Sequence, residues 1–333
     1  MRRPARRIEC PNCSRTHTKI SRSRCIRAGS RTIRTSSASS RQQKKGPRPM
    51  SIRIVTDSTC DIPRDLAEEH GITIVPASVF FGDEHLLDGV DIDSDTFFER
   101  LARESQLPTT SQPSPGAFRD VYQQLKDEGA TEILSLHVSE KLSGTLASAR
   151  QGAQQVEGVR IETVDSESAT LALGLGAITA AEAVADGASL DEARDRVLDQ
   201  FGRTENFLLV DTLEYLRRGG RIGRAQEMLG GLMRVKPLLA IQDGVIVPVG
   251  RVRTKKKAVA EVIRRTAALG SIEQLAVLHS TTPDEAADLA SRLGENAPGA
   301  PVMQGQVGPA IGVHVGPGLL AVVAVLSPDS AEA

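Results

Sequence analysis

Ile52-Arg53-Ile54-Val55-Thr56-Asp57-Ser58-Thr59-Cys60-Asp61-Ile62-Pro63 decides the fold class of this chain. Its apolar start predicts a short buried strand. The polar stretch from Asp57 to Asp61 ends that strand. Pro63 suits the first turn of a helix running through His70, with Gly71 closing it. A strand that leaves through a hydroxyl-rich turn into a helix is the unit from which α/β sheets are built.

The same alternation continues outward. Ile72 to Phe81 reads as a second strand. Ser94 is expected to cap a helix carrying Phe97, Phe98 and Leu101, and Ser114-Pro115 to open another. Glu132 to Val138 and Val159 to Val164 read as strands, with a small-residue helix starting at Ser143-Gly144 between them. Apolar strands separated by helices of about 10–15 residues predict a largely parallel sheet covered on both faces.

Beyond an Ala- and Leu-rich helix over 168–187, Ser189-x-x-Glu192 forms a capping box. The pattern then changes. Strands are expected at Asn206 to Asp211, Leu238 to Ile241 and Val245 to Val249. Asp243-Gly244 between the last two is a strong hairpin signal. Thr212 to Arg234 reads as helix broken by Gly219-Gly220 and Gly230-Gly231. Helices over Lys255 to Leu269 and Asp284 to Leu293 flank a strand at Gln274 to His279. Strands at Val302 to Val307 and Leu319 to Leu326 enclose a Gly-rich loop from Gly308 to Gly318. The expectation is α/β with two domains: a mostly parallel N-terminal domain over 50–172 and a mixed C-terminal one over 173–328, with 329–333 as a tail.

Charge separates the remaining segment. Residues 1–49 carry fifteen Lys and Arg against one acid, Glu9, whereas the rest of the chain is acidic. Arg- and Ser-rich sequence without apolar periodicity cannot offset its ordering entropy, so 1–49 is expected to be a disordered basic leader. Met50 directly precedes the first strand, which suits a leader translated from an upstream start. Cys10, Cys13, His17 and Cys25 could supply zinc ligands, but the second pair is irregularly spaced and no core surrounds it, so no metal is expected. The body holds one cysteine, Cys60, which excludes a disulfide framework there and fits a reducing cytoplasm.

The acidic body and the absence of Trp argue against nucleic-acid binding through it. The chain has no phosphate-loop, nucleophile-elbow, dinucleotide or zinc-protease signature. What remains are hydroxyl- and Gly-rich turns at expected strand ends, where α/β folds place ligands. They are Thr56 to Thr59, Pro108 to Pro113, Ser139 with Leu142 to Thr145, and Asp165-Ser166. Ser143-Gly144 at a helix start suits a carboxylate or phosphate. Each such Ser or Thr also serves as an ordinary helix cap; their clustering at successive strand ends favours a site. Leu216 to Ile222 places three Arg around a Gly pair, and Arg251 to Lys257 is a basic run in an acidic setting, either a solvated face or a dock for an acidic group. His314 sits among glycines that permit close approach of a ligand.

Together these pieces resemble the DegV family of bacterial fatty-acid-binding proteins. The matching stretches are Val55 to Thr59, Pro108 to Gly116, Lys141 to Thr145, Asp165-Ser166, Leu216 to Ile222, Lys236-Pro237, Val252 to Ala258 and Gly308 to Gly318, in the family's order. The resemblance implies a long-chain fatty acid held between the two domains, with no further cofactor. Carried over, Thr109 and Ser143 would hold the carboxylate, with Thr110 and the Gly144 backbone nearby. His314 and Arg253 would lie near the head group, and Arg221, Arg253 and Lys255 would face a partner or its phosphate. That partner, in some members, is a separate ATP-dependent fatty-acid kinase that makes an acyl-phosphate. Glu140 departs from the small residue often found there. The alternative is an enzyme acting on a small anion at the same turns, with Asp57 or His314 as its base.

Overall fold

The computed structural model describes residues 51–229 and 235–328. The expected leader with Cys10, Cys13, His17 and Cys25, the Gly230-Gly231 break and the tail at 329–333 lie outside the described residues.

The strands are β1 Ile52–Asp57, β2 Ile72–Val75, β3 Ser78–Phe81, β4 Glu84–Leu87, β5 Thr109–Ser111, β6 Glu132–His137, β7 Arg160–Asp165, β8 Thr204–Leu209, β9 Lys236–Gln242, β10 Val245–Val252, β11 Ile272–His279, β12 Val302–Gln306 and β13 Leu320–Leu326. The α-helices are α1 Arg64–Glu69, α2 Ser94–Arg103, α3 Pro115–Asp127, α4 Thr145–Ala153, α5 Leu171–Ala185, α6 Leu190–Gly202, α7 Glu214–Arg218, α8 Lys255–Ala267, α9 Pro283–Asn296 and α10 Pro309–Val315.

β2-β1-β6-β7 form an all-parallel sheet. β10-β9-β8-β13-β11-β12 form a mixed sheet in which β11 and β12 pair in parallel and the other neighbours antiparallel. β4-β3-β5 make a small antiparallel sheet. The mixed α/β class with a parallel and a mixed sheet is therefore as the sequence predicts.

Alternation along the strands explains the layers. Ile54, Leu134 and Leu136 face a central core, while Val55 and Ile133 face a second core under α3 with Phe118 and Tyr122. In the mixed sheet, Leu208, Ala321 and Val323 turn to the same central core, and Phe207, Leu209 and Val322 turn to a third core shared with α8 and α9. One face of each large sheet thus meets the central core, together with the small-residue helix α5.

Several local expectations change. The run from Ile72 to Phe81 is two strands in different sheets, because Pro76 between them has no N–H for a ladder. Asp93, not Ser94, caps α2, its carboxylate accepting from the Thr96 N–H at 2.8 Å. The Gly-rich stretch expected as a loop folds as α10, with Pro309 in its first turn and Gly316 at positive φ after it. A boundary at 172/173 falls inside α5. That helix packs on β1 and β6 with α6 beside it, so the chain leaves the parallel layer only at β8. The hairpin signal at Asp243-Gly244 does form the β9–β10 turn, with both residues at positive φ. The capping box at Ser189 and Glu192 is also present.

Candidate functional site

β1 neighbours β2 on one side and β6 on the other, so the chain turns in opposite directions from the middle of the parallel sheet. Ligands in such sheets bind beyond the carboxyl ends of the strands at that point. A cleft of about 760 Å³, counting its open mouth, lies there. Thr59 follows β1 and Val138 follows β6, and both line it. Leu208, Leu216, Ile241 and Ile246 line it from the other half of the chain. The size and mainly apolar wall are those of a small-molecule site.

Polar groups gather along part of this wall. Thr110 on β5 and His314 on α10 meet there, with Thr110 Oγ1 3.0 Å from His314 Nε2. Ser143 Oγ lies 2.8 Å from Thr145 Oγ1 and accepts from the Thr145 N–H at 3.3 Å, at the start of α4. Arg221 is half-buried. Its Nε donates to Leu142 O at 3.0 Å and its Nη1 to Gly219 O at 2.6 Å. Those are neutral partners, and no carboxylate lies within ion-pair distance of Arg221 among the described residues. The neighbouring Arg217 and Arg218 are instead both paired to Glu214.

Burial, with a smaller push from Arg221, lowers the His314 imidazole to about 4, so it is neutral at pH 7. Gly219 permits this arrangement: a Cβ there would collide with the His314 ring at Nδ1. The site therefore combines an uncompensated guanidinium, a neutral imidazole and three hydroxyls above an apolar floor. Such a set can take up one anionic group and give it several donors.

The expected site residues divide. Thr110, Ser143, Arg221 and His314 line the cleft. Gly144 is the N-cap of α4; the Gln112 amide occupies the space a Cβ would need, 2.8 Å away. Thr109 is exposed on β5 and outside the lining, whereas Thr110 and Ser111, which follow it, both reach the cleft. Arg253 is exposed just beyond β10 and Lys255 is paired to Glu285, neither of them at the cleft. Glu140 is exposed and paired to Arg150. Gln112 and Thr145 belong to the hydroxyl- and Gly-rich turns that the sequence points to, Pro108 to Pro113 and Leu142 to Thr145, but neither is among the expected site residues.

Asp57 is committed elsewhere. Its Oδ1 accepts from the Thr59 N–H and hydroxyl; its Oδ2 accepts from the Val138 N–H and meets His137 Nδ1 at 2.9 Å. Ser135 and Tyr122 extend the chain of hydrogen bonds, all of it buried. This network ties the ends of β1 and β6 together behind the cleft wall and is closed to a substrate. It removes Asp57 as the base of an enzymatic alternative.

Known proteins repeat this architecture. A family model described as "Uncharacterised protein, DegV family" matches residues 51–327. A DegV domain-containing protein of Streptomyces coelicolor is 42% identical over 275 residues, covering 82% of this chain and 97% of its own length. The structure of a fatty-acid-binding DegV family protein from Thermus thermophilus superposes with a TM-score of 0.77 at 35% identity, covering 84% of this chain and all of that one (100%). DegV of Bacillus subtilis, described as a fatty acid binding protein, gives 0.77 at 33% identity with the same coverage, 84% and 100%. Sequence and strand arrangement agree over the stretch that builds the cleft, and on that ground the chain belongs to the DegV family.

Proposed function

We propose that this protein binds a long-chain fatty acid in the cleft and presents its carboxylate to a separate ATP-dependent fatty-acid kinase. The observation that carries the binding reading is the asymmetry of the cleft: Arg221 without a carboxylate partner, beside Thr110, Ser143 and Thr145, over an apolar floor. Each methylene buried against that floor contributes about 0.8 kcal/mol, so the acyl chain supplies affinity and the polar end sets orientation. Fatty-acid binding by the Thermus and Bacillus relatives supports the same ligand class. The chain carries no phosphate-loop motif and its best-placed carboxylate, Asp57, is locked in the scaffold, which favours a carrier over an enzyme. Arg253, exposed just beyond β10, is the basic group that would meet the kinase, Lys255 being paired to Glu285, and the cytoplasm, where ATP and reduced thiols coexist, is the compartment that suits both partners.

Mass spectrometry of the denatured protein tests this. A co-purifying or readily absorbed long-chain fatty acid is expected, and acyl-phosphate should appear on addition of ATP only when a bacterial fatty-acid kinase is also present. Protein that neither carries nor takes up a fatty acid would overturn the binding reading. Acyl-phosphate formed without the kinase would overturn the carrier role.

A further inference from the structure

A second cleft, about 1130 Å³ counting its mouth, shares no lining residue with the acyl cleft. The turn after β1, the connection from β4 to α2 and the start of α10 contribute its walls. Those walls are largely apolar, with Ile62, Pro63, Ile74, Pro76 and Pro309 among them. Two carboxyl groups, Asp61 and Asp88, interrupt them.

Both acids are buried, at 9% and 4% exposure. A Cβ at Gly308 would stand 3.2 Å from Asp61 Oδ1 and 3.2 Å from Asp88 Oδ1, so the two groups flank one glycine. Asp61 Oδ1 accepts from the Gly308 N–H at 2.8 Å, and Asp88 Oδ2 accepts from the Ala310 N–H at 3.3 Å. The Ser58 hydroxyl also bonds Asp88. Asp61 Oδ2 is buried and has no hydrogen-bond partner. Neither acid has a basic group within ion-pair distance among the described residues; Arg64, at the mouth, is exposed and sits with Glu68. Burial raises both carboxyl groups, Asp88 to about 7 and Asp61 well above its usual range. A buried oxygen without a donor, on a residue that lines a cleft, suits a cationic donor that supplies the missing counter-charge.

The lining favours an alkylammonium over a metal ion. No group of three or more His, Cys, Asp or Glu among the described residues is placed to hold a metal. A primary ammonium offers three donors to the two carboxyl groups, and its aliphatic stem covers apolar wall that a hydrated ion would leave wet. We propose that the second cleft binds a small aliphatic amine, its ammonium held by Asp61 and Asp88 and its stem laid along Ile62, Ile74 and Pro309. This goes beyond the fatty-acid reading and does not depend on it.

Calorimetric titration of the full chain with pentylamine tests the proposal, with pentan-1-ol as the uncharged control. At about pH 8 the amine, with a pKa of about 10.4 like that of lysine, is protonated, and the acids are close to or within reach of ionisation once a cation is beside them. Pentylamine is expected to bind, and pentan-1-ol not to bind at the same concentrations. Asp61→Asn and Asp88→Asn keep acceptors for the Gly308 and Ala310 N–H groups but lose the charge, and each is expected to weaken amine binding about tenfold or more. Val90→Arg changes an exposed residue at the mouth and leaves the core alone; its added positive charge is expected to weaken amine binding severalfold at low ionic strength. No binding by the wild-type protein, or equal binding of the alcohol, overturns the proposal and leaves Asp61 and Asp88 as a neutral buried pair. Amine affinity unchanged in the three variants overturns it by placing the amine elsewhere. Fatty-acid uptake is measured separately, so either reading can fail alone.

Discussion

Thr110 and Thr109 are chemically identical neighbours with different surroundings. Thr110 lines the cleft and contacts His314; Thr109 is exposed at the start of β5 and outside the lining. Thr110→Ala is expected to weaken fatty-acid binding by about 1–3 kcal/mol, the range for removing a donor from a charged acceptor, while Thr109→Ala leaves affinity unchanged. Titration with a fluorescent fatty acid distinguishes them; equal losses would mean that the carboxylate does not sit on the inner face. The hydroxyl-rich turn itself was legible in the sequence, but which of two adjacent threonines faces inward was not. The choice depends on the register of β5 against β3, where Thr110 pairs with Val79. A three-residue edge strand is too short to show a period of its own.

At the scale of an element, α10 does the most positioning. It spans the cleft from Asp88 to Thr110 and packs its Gly312 against two aromatic rings of α2. A Cβ at Gly312 would stand 2.6 Å from Phe97 and 2.9 Å from Phe98. Gly312→Ala is therefore expected to destabilise the protein by about 1–2 kcal/mol, because overpacking outweighs the gain of about 1 kcal/mol in helix propensity. A thermal melt measures this, and an unchanged or raised midpoint would show that the α2–α10 contact yields without cost. Glycines made this segment read as a loop. Tertiary packing overrides that weak local preference, since only small residues let α10 approach Phe97, Phe98 and, at Gly316, Tyr215. Thr170, at the start of α5, is a β-branched residue at φ 58 that lines the cleft, another conformation that the chain maintains through its surroundings.

At the scale of the whole molecule, two buried groups titrate in opposite senses. Burial pushes the Asp88 carboxyl up from 3.8 to about 7. Stability contributed by its proton is full below about 3.8 and drains as the pH rises to about 7. His314 is lowered from 6.5 to about 4, so its contribution is full above 6.5 and is lost as the pH falls to about 4. Burial also raises the Asp61 carboxyl well above the usual range, so Asp61 adds to the Asp88 trend and His314 opposes both. Asp88→Asn removes the Asp88 contribution, so the variant's stability is expected to rise relative to wild type by up to about 3 kcal/mol between pH 4 and 6.5. Urea denaturation across that range checks it; parallel curves would mean that Asp88 does not hold its proton in the folded state.

By itself the sequence determined the strands and helices of the parallel layer, the capping box at Ser189, the hairpin at Asp243-Gly244 and the hydroxyl-rich turns that bring Thr59, Thr110 and Ser143 to the cleft, but not the small β4-β3-β5 sheet. These are local properties, set by hydrophobic period, backbone preference and capping chemistry within a few residues. Only the tertiary structure decided that Arg221 lacks a carboxylate while Arg217 and Arg218 share one, that Asp57 belongs to the scaffold, and that Asp88 meets Ala310 across a separation of 222 residues. Those outcomes depend on which distant segments share a boundary. The energies that choose among pairings come from burial and from satisfying buried polar groups, and neither is visible along the chain.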